Sequence, residues 1–306
     1  YWKAIKERYG LDLTIIHDEY DPTFSFMTYD HDGKVRMDCS SPYVMESVIN
    51  RIGDFDLAVG NDPDYDRYGI VISSGLVSAN SFLTMAARYL FTTRGWKNKG
   101  IGKTVVCTTM IDKWAAGVEI PVFEVPVGFK YFSQLLFDGV IGIGGEESAG
   151  ASFLKKDGTV WTTDKDGIIM ALLGMEIMAV MGKSALKMAD DFAENYGEPR
   201  FGRIDAPCKK EQKQILKQLS AELITATSVD GDPITGIRTT SMYNNMPIDG
   251  VRVETDKGWF VARPSGTEDL YKIYGESYKG DLGLVALLTA GEEIVNAALN
   301  GKIDAE

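Results

Sequence analysis

A chain of 306 residues is too long for one ordinary domain, so two or three separate cores are expected. Its 44 acidic and 32 basic residues leave a net charge of −12. That excludes nucleic acid as a main partner, because a phosphate backbone needs a clustered basic surface. The 44% hydrophobic fraction fits a globular protein, and no run of eighteen apolar residues predicts a membrane span. Cys39, Cys107 and Cys208 lie far apart, as reduced thiols of a cytoplasmic protein would, and form neither a disulfide frame nor a zinc spacing. With only His17 and His31 present, a histidine-rich metal centre is excluded. Trp2, Ile5 and Tyr9 already follow helical spacing, which reads as a chain entered inside a folded region.

In chain order, Leu11–Ile16 reads as a strand, Tyr43–Ile52 as a helix and Asp56–Val59 as a short buried strand. The apolar run resumes at Gly69–Ser73, and this alternation predicts a parallel α/β layer. A second α/β unit begins near Ser81, where Phe82, Met85, Ala86, Tyr89 and Leu90 have helical spacing. A Lys- and Gly-rich loop is expected at Arg94–Lys103, with strands at Thr104–Thr108, Val122–Val125 and Val140–Ile143. The long apolar helix Gly167–Met181 closes the unit, its methionines acting as core filler. From about Tyr196 the texture changes to a polar helix over Lys209–Leu223 and strands at Ile234–Thr240, Gly250–Glu254, Trp259–Ala262 and Tyr271–Glu276. A helix over Leu284–Leu299 ends this small α+β domain. The predicted class is therefore α/β: an incomplete unit over 1–75, a parallel-sheet unit over 76–195 and an α+β domain over 196–306.

Three loops carry chemistry. In Asp62-Pro63-Asp64-Tyr65-Asp66-Arg67, alternate side chains of an extended loop share a face, so Asp62, Asp64 and Asp66 can converge on one cation. Three hard oxygen donors suit Mg²⁺. A calcium EF-hand is excluded, since Arg67 stands where the turn glycine belongs and Ser73 where the bidentate Glu belongs. The bland reading is a polar turn. In Gly144-Gly145-Glu146-Glu147-Ser148-Ala149-Gly150, directly after a strand, a carboxylate beside a hydroxyl suits vicinal sugar hydroxyls, although a flexible turn reads equally well. Arg263-Pro264-Ser265-Gly266-Thr267-Glu268 holds a forked cation, two hydroxyls and a glycine, the parts of a phosphate cradle or of a plain turn. Lys272 follows on the next strand. Lys130, after Val127-Gly128-Phe129, and Lys165, in Thr163-Asp164-Lys165-Asp166-Gly167, stand near the second loop; most lysines only solvate a surface, but a lysine near cations can move a proton.

The three loops in this order resemble the metal, sugar and phosphate loops of the α-D-phosphohexomutase superfamily, and Val125–Lys130 with Trp161–Met170 looks like its bacterial phosphoglucomutase branch. The similarity spans essentially the whole chain. It implies interconversion of glucose 1-phosphate and glucose 6-phosphate through a phosphoserine and glucose 1,6-bisphosphate. By resemblance, Asp62, Asp64 and Asp66 hold Mg²⁺, and Arg67 contacts the transferring phosphoryl group. Glu146 and Ser148 hold sugar hydroxyls, while Arg263, Ser265, Gly266, Thr267 and Lys272 grip the other phosphate. Lys165 and Lys130 resemble the basic residues near the reacting oxygen.

The resemblance breaks at the nucleophile. The family's serine lies in a T-x-S-H-N loop, and no Ser-His pair occurs here; Ser40-Ser41-Pro42 is the nearest imitation. An amino-terminal domain carrying that serine is therefore the expected partner, and this chain alone is expected to be inactive. The rival readings are a magnesium phosphohydrolase with Asp62 or Asp64 as nucleophile, and a non-catalytic sugar-phosphate-binding module.

Overall fold

The computed structural model describes residues 1–96, 98–182 and 191–301. Lys97 of the expected loop and residues 302–306 of the last expected domain lie outside them. Three sheets organise the described residues. The first joins β1 (Ala58–Gly60), β2 (Gly69–Ile72) and β3 (Gly75–Val77), all antiparallel. The parallel layer predicted for this region is absent from it, because the Asp-rich loop turns the chain straight back on β1. Its core is small: Cys39, Met45 and Val71. Ahead of it stands the helix α1 (Trp2–Tyr9), and the helix expected over 43–52 shortens to α2 (Glu46–Ile49) with a 3-10 turn at Ile52–Asp54. Leu11–Ile16 forms no strand. Among the described residues no neighbouring strand accepts its backbone, and β-propensity without a partner stabilises nothing.

The second sheet has the order β5-β4-β6-β7, built from β4 (Gly100–Thr104), β5 (Val122–Val125), β6 (Ile141–Gly145) and β7 (Ala151–Phe153). β4 pairs parallel with β5 and β6, and β7 closes the edge antiparallel. Helices α3 (Ala79–Thr93), α4 (Met110–Gly117), α5 (Lys130–Phe137) and α6 (Gly167–Met181) complete the unit. β4 lies where a loop was expected, four residues before the predicted strand. Its glycines are packing residues: a Cβ at Gly100 would stand 2.2 Å from Phe123, and one at Gly102 would stand 2.7 Å from Ile141. The buried Lys103 donates to Thr108 O at 3.2 Å and meets Asp112, so a lysine in the centre of a sheet keeps its charge paired.

The last sheet runs β8-β13-β12-β11-β10-β9 and is antiparallel throughout. It comprises β8 (Arg200–Pro207), β9 (Ser228–Val229), β10 (Asp232–Thr240), β11 (Pro247–Thr255), β12 (Gly258–Pro264) and β13 (Leu270–Ser277). Helices α7 (Lys210–Lys217) and α8 (Gly280–Leu299) cover it. The predicted polar helix ends at Lys217, and β8 was hidden by the Gly and Pro punctuation of its sequence. α8 is long and apolar enough to cross a membrane by composition alone. Glu292 and Glu293 interrupt it, and Leu287, Val295 and Ala298 pack into the core of this domain, as in an amphipathic core helix.

Candidate active site

The acidic loop follows β1 and returns through Arg67 to β2. Asp62, Asp64 and Asp66 each offer a carboxylate oxygen, and these lie within 4.8 Å of one another. The loop is shaped from within. The Arg67 N–H donates to Asp62 Oδ1 at 3.0 Å, Asn61 Nδ2 donates to Arg67 O at 2.8 Å, and Tyr65 adopts a left-handed φ of 62°. It is also held from outside. Gly167, the first residue of α6, donates its N–H to Tyr65 O at 2.9 Å. A Cβ there would stand 2.0 Å from Arg67 O, so only glycine lets the helix end approach this closely.

Electrostatics favour a cation at this point. Removal from water, with Asp64 and Asp66 alongside, lifts the Asp62 carboxyl to about 6 despite the lowering bond from the Arg67 N–H. Among the described residues, Asp66 Oδ1 is buried without a hydrogen-bond partner, while its Oδ2 meets Lys165 Nζ at 2.5 Å. Arg67 Nε stands 3.8 Å from both Asp62 and Asp66, too long for a good hydrogen bond. Three oxygen donors with an unpartnered buried lone pair fit a divalent cation.

The glutamate–serine loop after β6 meets the acidic loop directly. Arg67 and Gly150 form an antiparallel bridge, and the Tyr68 N–H donates to Ala149 O at 3.2 Å. The Asp166 N–H donates to Ala151 O at 3.0 Å, and Asp166 caps α6 through the Ile169 N–H. Lys165 is thereby carried between the two loops. Glu146 is buried, and removal from water together with Glu147 raises its carboxyl to about 7, with Lys165 and Arg67 acting the other way. Ser148 is half-buried beside it. Lys130 begins α5, lies 5.1 Å from the centroid of Tyr131 and pairs with no carboxylate among the described residues. One turn later Ser133 donates to Thr163 O at 2.8 Å, so α5 abuts the segment that carries Lys165.

The third loop lies between β12 and β13. Arg263 is buried and donates through Nε to Ile248 O at 3.4 Å. Ser265 is buried; its N–H donates to Leu270 O at 2.8 Å, and its hydroxyl accepts the Glu268 N–H at 3.1 Å. Gly266 and Thr267 are exposed. Lys272 pairs with Glu268 at 2.9 Å and faces Asp205 at 3.7 Å. No hydrogen bond or ion pair joins this loop to the aspartates among the described residues. Glu147, a residue that sequence reasoning passed over although it adjoins Glu146, accepts a hydrogen bond from the Thr104 hydroxyl at 3.3 Å. Also missed was the joint between the last two units, where buried Glu124 receives both Arg238 nitrogens at 2.7 and 3.1 Å. A cavity of about 700 Å³ lined by Phe260, Ile294 and Val229 lies in the last domain and contains none of these loops.

Residues 78–196 match the model of phosphoglucomutase/phosphomannomutase alpha/beta/alpha domain III, and residues 205–283 match that family's C-terminal domain. The chain belongs to the phosphoglucomutase/phosphomannomutase family. It is 48% identical over 300 residues to the phosphoglucomutase of Komagataeibacter xylinus, a match covering 97% of this chain and 54% of that protein. The crystal structure of a putative phosphomannomutase from Thermus thermophilus superimposes with a TM-score of 0.70 at 22% identity, over 96% of this chain and 57% of that one. Aspergillus fumigatus N-acetylphosphoglucosamine mutase, solved with GlcNAc-6P and magnesium, shares the fold at a TM-score of 0.52 and 15% identity, over 79% of this chain and 49% of that one. The chain spans about half the length of the curated relatives it matches.

Proposed function

We propose that this chain supplies the metal, sugar and far-phosphate loops of a phosphoglucomutase that interconverts glucose 1-phosphate and glucose 6-phosphate through glucose 1,6-bisphosphate. The observation that carries the reading is the joining of the acidic triplet to the sugar loop through the Arg67–Gly150 bridge, with Lys165 between them. The 48% identity to a phosphoglucomutase supports the choice of reaction. The phosphoserine is assigned to an amino-terminal domain, as the matched relatives' greater length suggests, and the setting is assigned to the cytoplasm.

Asp62, Asp64 and Asp66 would hold Mg²⁺, which supplies positive charge to the oxygens of the transferring phosphoryl group. Arg67 adds a second cation beside the same oxygens. Glu146 and Ser148 would accept and donate hydrogen bonds to sugar hydroxyls in either orientation of the substrate. Lys165, held 2.5 Å from Asp66, is the first candidate to move the proton of the reacting hydroxyl, and Lys130 is the second. Arg263, Ser265, Gly266, Thr267 and Lys272 would grip the phosphate that does not react, so that binding energy at one end positions the other.

The test joins calorimetry to assay. Mg²⁺ titrated into the chain should bind, and Asp64→Asn should abolish that binding. The 306-residue chain should not interconvert the two glucose phosphates, whereas the protein carrying the amino-terminal serine domain should. Activity of the chain alone, or an aspartyl phosphate trapped on Asp62 or Asp64, would overturn the proposal.

A further inference from the structure

We propose that Gly150 is a positioning residue: its bare α-carbon is the floor over which Lys165 reaches Asp66, leaving Glu146 free for the sugar. The inference rests on the reading of Lys165 and Glu146 as site residues.

Backbone conformation does not explain a glycine at this position. Gly150 lies outside the left-handed region, so its bridge to Arg67 is open to any L-residue. Its carbonyl closes the sugar loop by accepting the Glu146 N–H at 2.8 Å. Space is what requires the glycine. A Cβ at Gly150 would stand 2.4 Å from Lys165 Cδ, 3.2 Å from Lys165 Cγ and 3.1 Å from Glu146 Oε2. These are well inside van der Waals separation, so the lysine stem and the glutamate carboxylate already fill the volume of a side chain.

The lysine is committed to this route by its backbone. The Asp166 N–H is bonded to Ala151 O at 3.0 Å and the Lys165 N–H to Asp164 Oδ1 at 2.8 Å, which pins the segment beside Gly150. From there the stem crosses the glycine, and Nζ ends 2.5 Å from Asp66 Oδ2. It ends on Asp66 and not on Glu146, which pairs with no cation among the described residues. Asp66 Oδ1 is left buried and without a partner. One oxygen of Asp66 is thus taken by the lysine and the other is open to a metal. Two cations on one carboxylate oppose each other. Displacing the lysine should therefore tighten metal binding, whereas general damage to the loop should loosen it.

Gly150→Ala obstructs the slot, and Lys165→Ala removes the stem that occupies it. In thermal unfolding of the 306-residue chain, Gly150→Ala should lower the melting temperature by about 2–5 °C. In a Lys165→Ala background the same change should cost less than about 1 °C. By calorimetry on the same chains, Mg²⁺ should bind about threefold tighter to either single variant, and no tighter still to the double variant. In the enzyme carrying its amino-terminal domain, Gly150→Ala should lower kcat about tenfold and change KM for glucose 1-phosphate less than about threefold. Equal melting losses in both backgrounds, or Mg²⁺ affinity unchanged or weakened in the single variants, would overturn the role of Gly150. A chain that binds no Mg²⁺, or an unsubstituted enzyme without mutase activity, would instead remove the reading of the site on which the inference stands.

Discussion

Two seams hold the chain's units together, and their carboxylates behave in opposite ways. At the seam between the last two units, burial opposes ionisation of Glu124, but the paired bonds from Arg238, with Lys103 and Arg252 nearby, hold it down at about 2. Arg238 is shared with Glu254, and Arg252 stacks 4.2 Å from the Trp259 ring. At the seam between the acidic loop and the sugar loop, Asp62 and Glu146 are both raised, to about 6 and about 7. At Glu124 the first seam is neutralised by its own side chains. The other concentrates negative charge that its lysine and arginine only partly offset, the condition expected where a cation and a phosphosugar complete the structure. A structural joint and a working site can thus be told apart by whether the protein finishes its own electrostatics.

The sharpest way to break the comparison is to unbalance the neutral seam. Arg238→Met should destabilise the chain by about 3–5 kcal/mol, because it leaves a buried carboxylate uncompensated. Chemical denaturation at pH 7 would measure it. Since folding depresses Glu124 below its usual 4.5, the stability it contributes is present above that pH and is lost as the pH falls towards 2. The gap between Arg238→Met and the unsubstituted chain should narrow over that range.

The opposite treatment of the site seam should stabilise. Folding raises Glu146 from 4.5 to about 7, so the folded state holds the proton more tightly, and this group's contribution is full below about pH 4.5 and lost as the pH rises through about 7. Glu146→Gln removes the cost of ionisation and should stabilise the chain by on the order of 2–3 kcal/mol at pH 8, with no gain at pH 4. Denaturation midpoints at the two pH values would show it. The same variant should bind phosphosugar more weakly, the usual trade between a strained site and stability.

Local chemistry was legible in the sequence, and long-range pairing was not. The triplet at 62–66 and the loop at 144–150 were readable because their donors sit within a few residues of each other. Glu124 and Arg238 are 114 residues apart, and nothing near either one announces the other. β4 was read as a loop because glycines that serve close packing look like turn glycines. The antiparallel return of β2 on β1 was missed because a strand–loop–strand pattern carries no direction. The last domain was the easiest to read, since β10 to β13 follow one another in the chain and in the sheet.

A smaller effect is expected where the helix end meets the acidic loop. Gly167→Ala would normally help a helix, yet its Cβ would press on the Arg67 carbonyl. A loss of about 1–3 kcal/mol in thermal unfolding is expected, with weakened Mg²⁺ binding, because the rigid backbone of the loop must shift. No change in either would mean that the loop keeps its shape without α6.

The smallest stability effect should fall at the third loop, where Glu268 pairs with Lys272 at 2.9 Å but is itself half-exposed. Water screens such a pair, so Glu268→Gln should alter stability by no more than about 0.5 kcal/mol. Its consequence for binding should be larger than its consequence for folding. Lys272 also faces Asp205, and removing one of its two carboxylates leaves more of its charge for an arriving phosphate. Tighter binding of inorganic phosphate by calorimetry, with an unchanged melting temperature, would place the third loop with the unfinished seam. A large melting shift with unchanged phosphate affinity would place it with the finished one, and Lys272 would then be part of a structural ion pair.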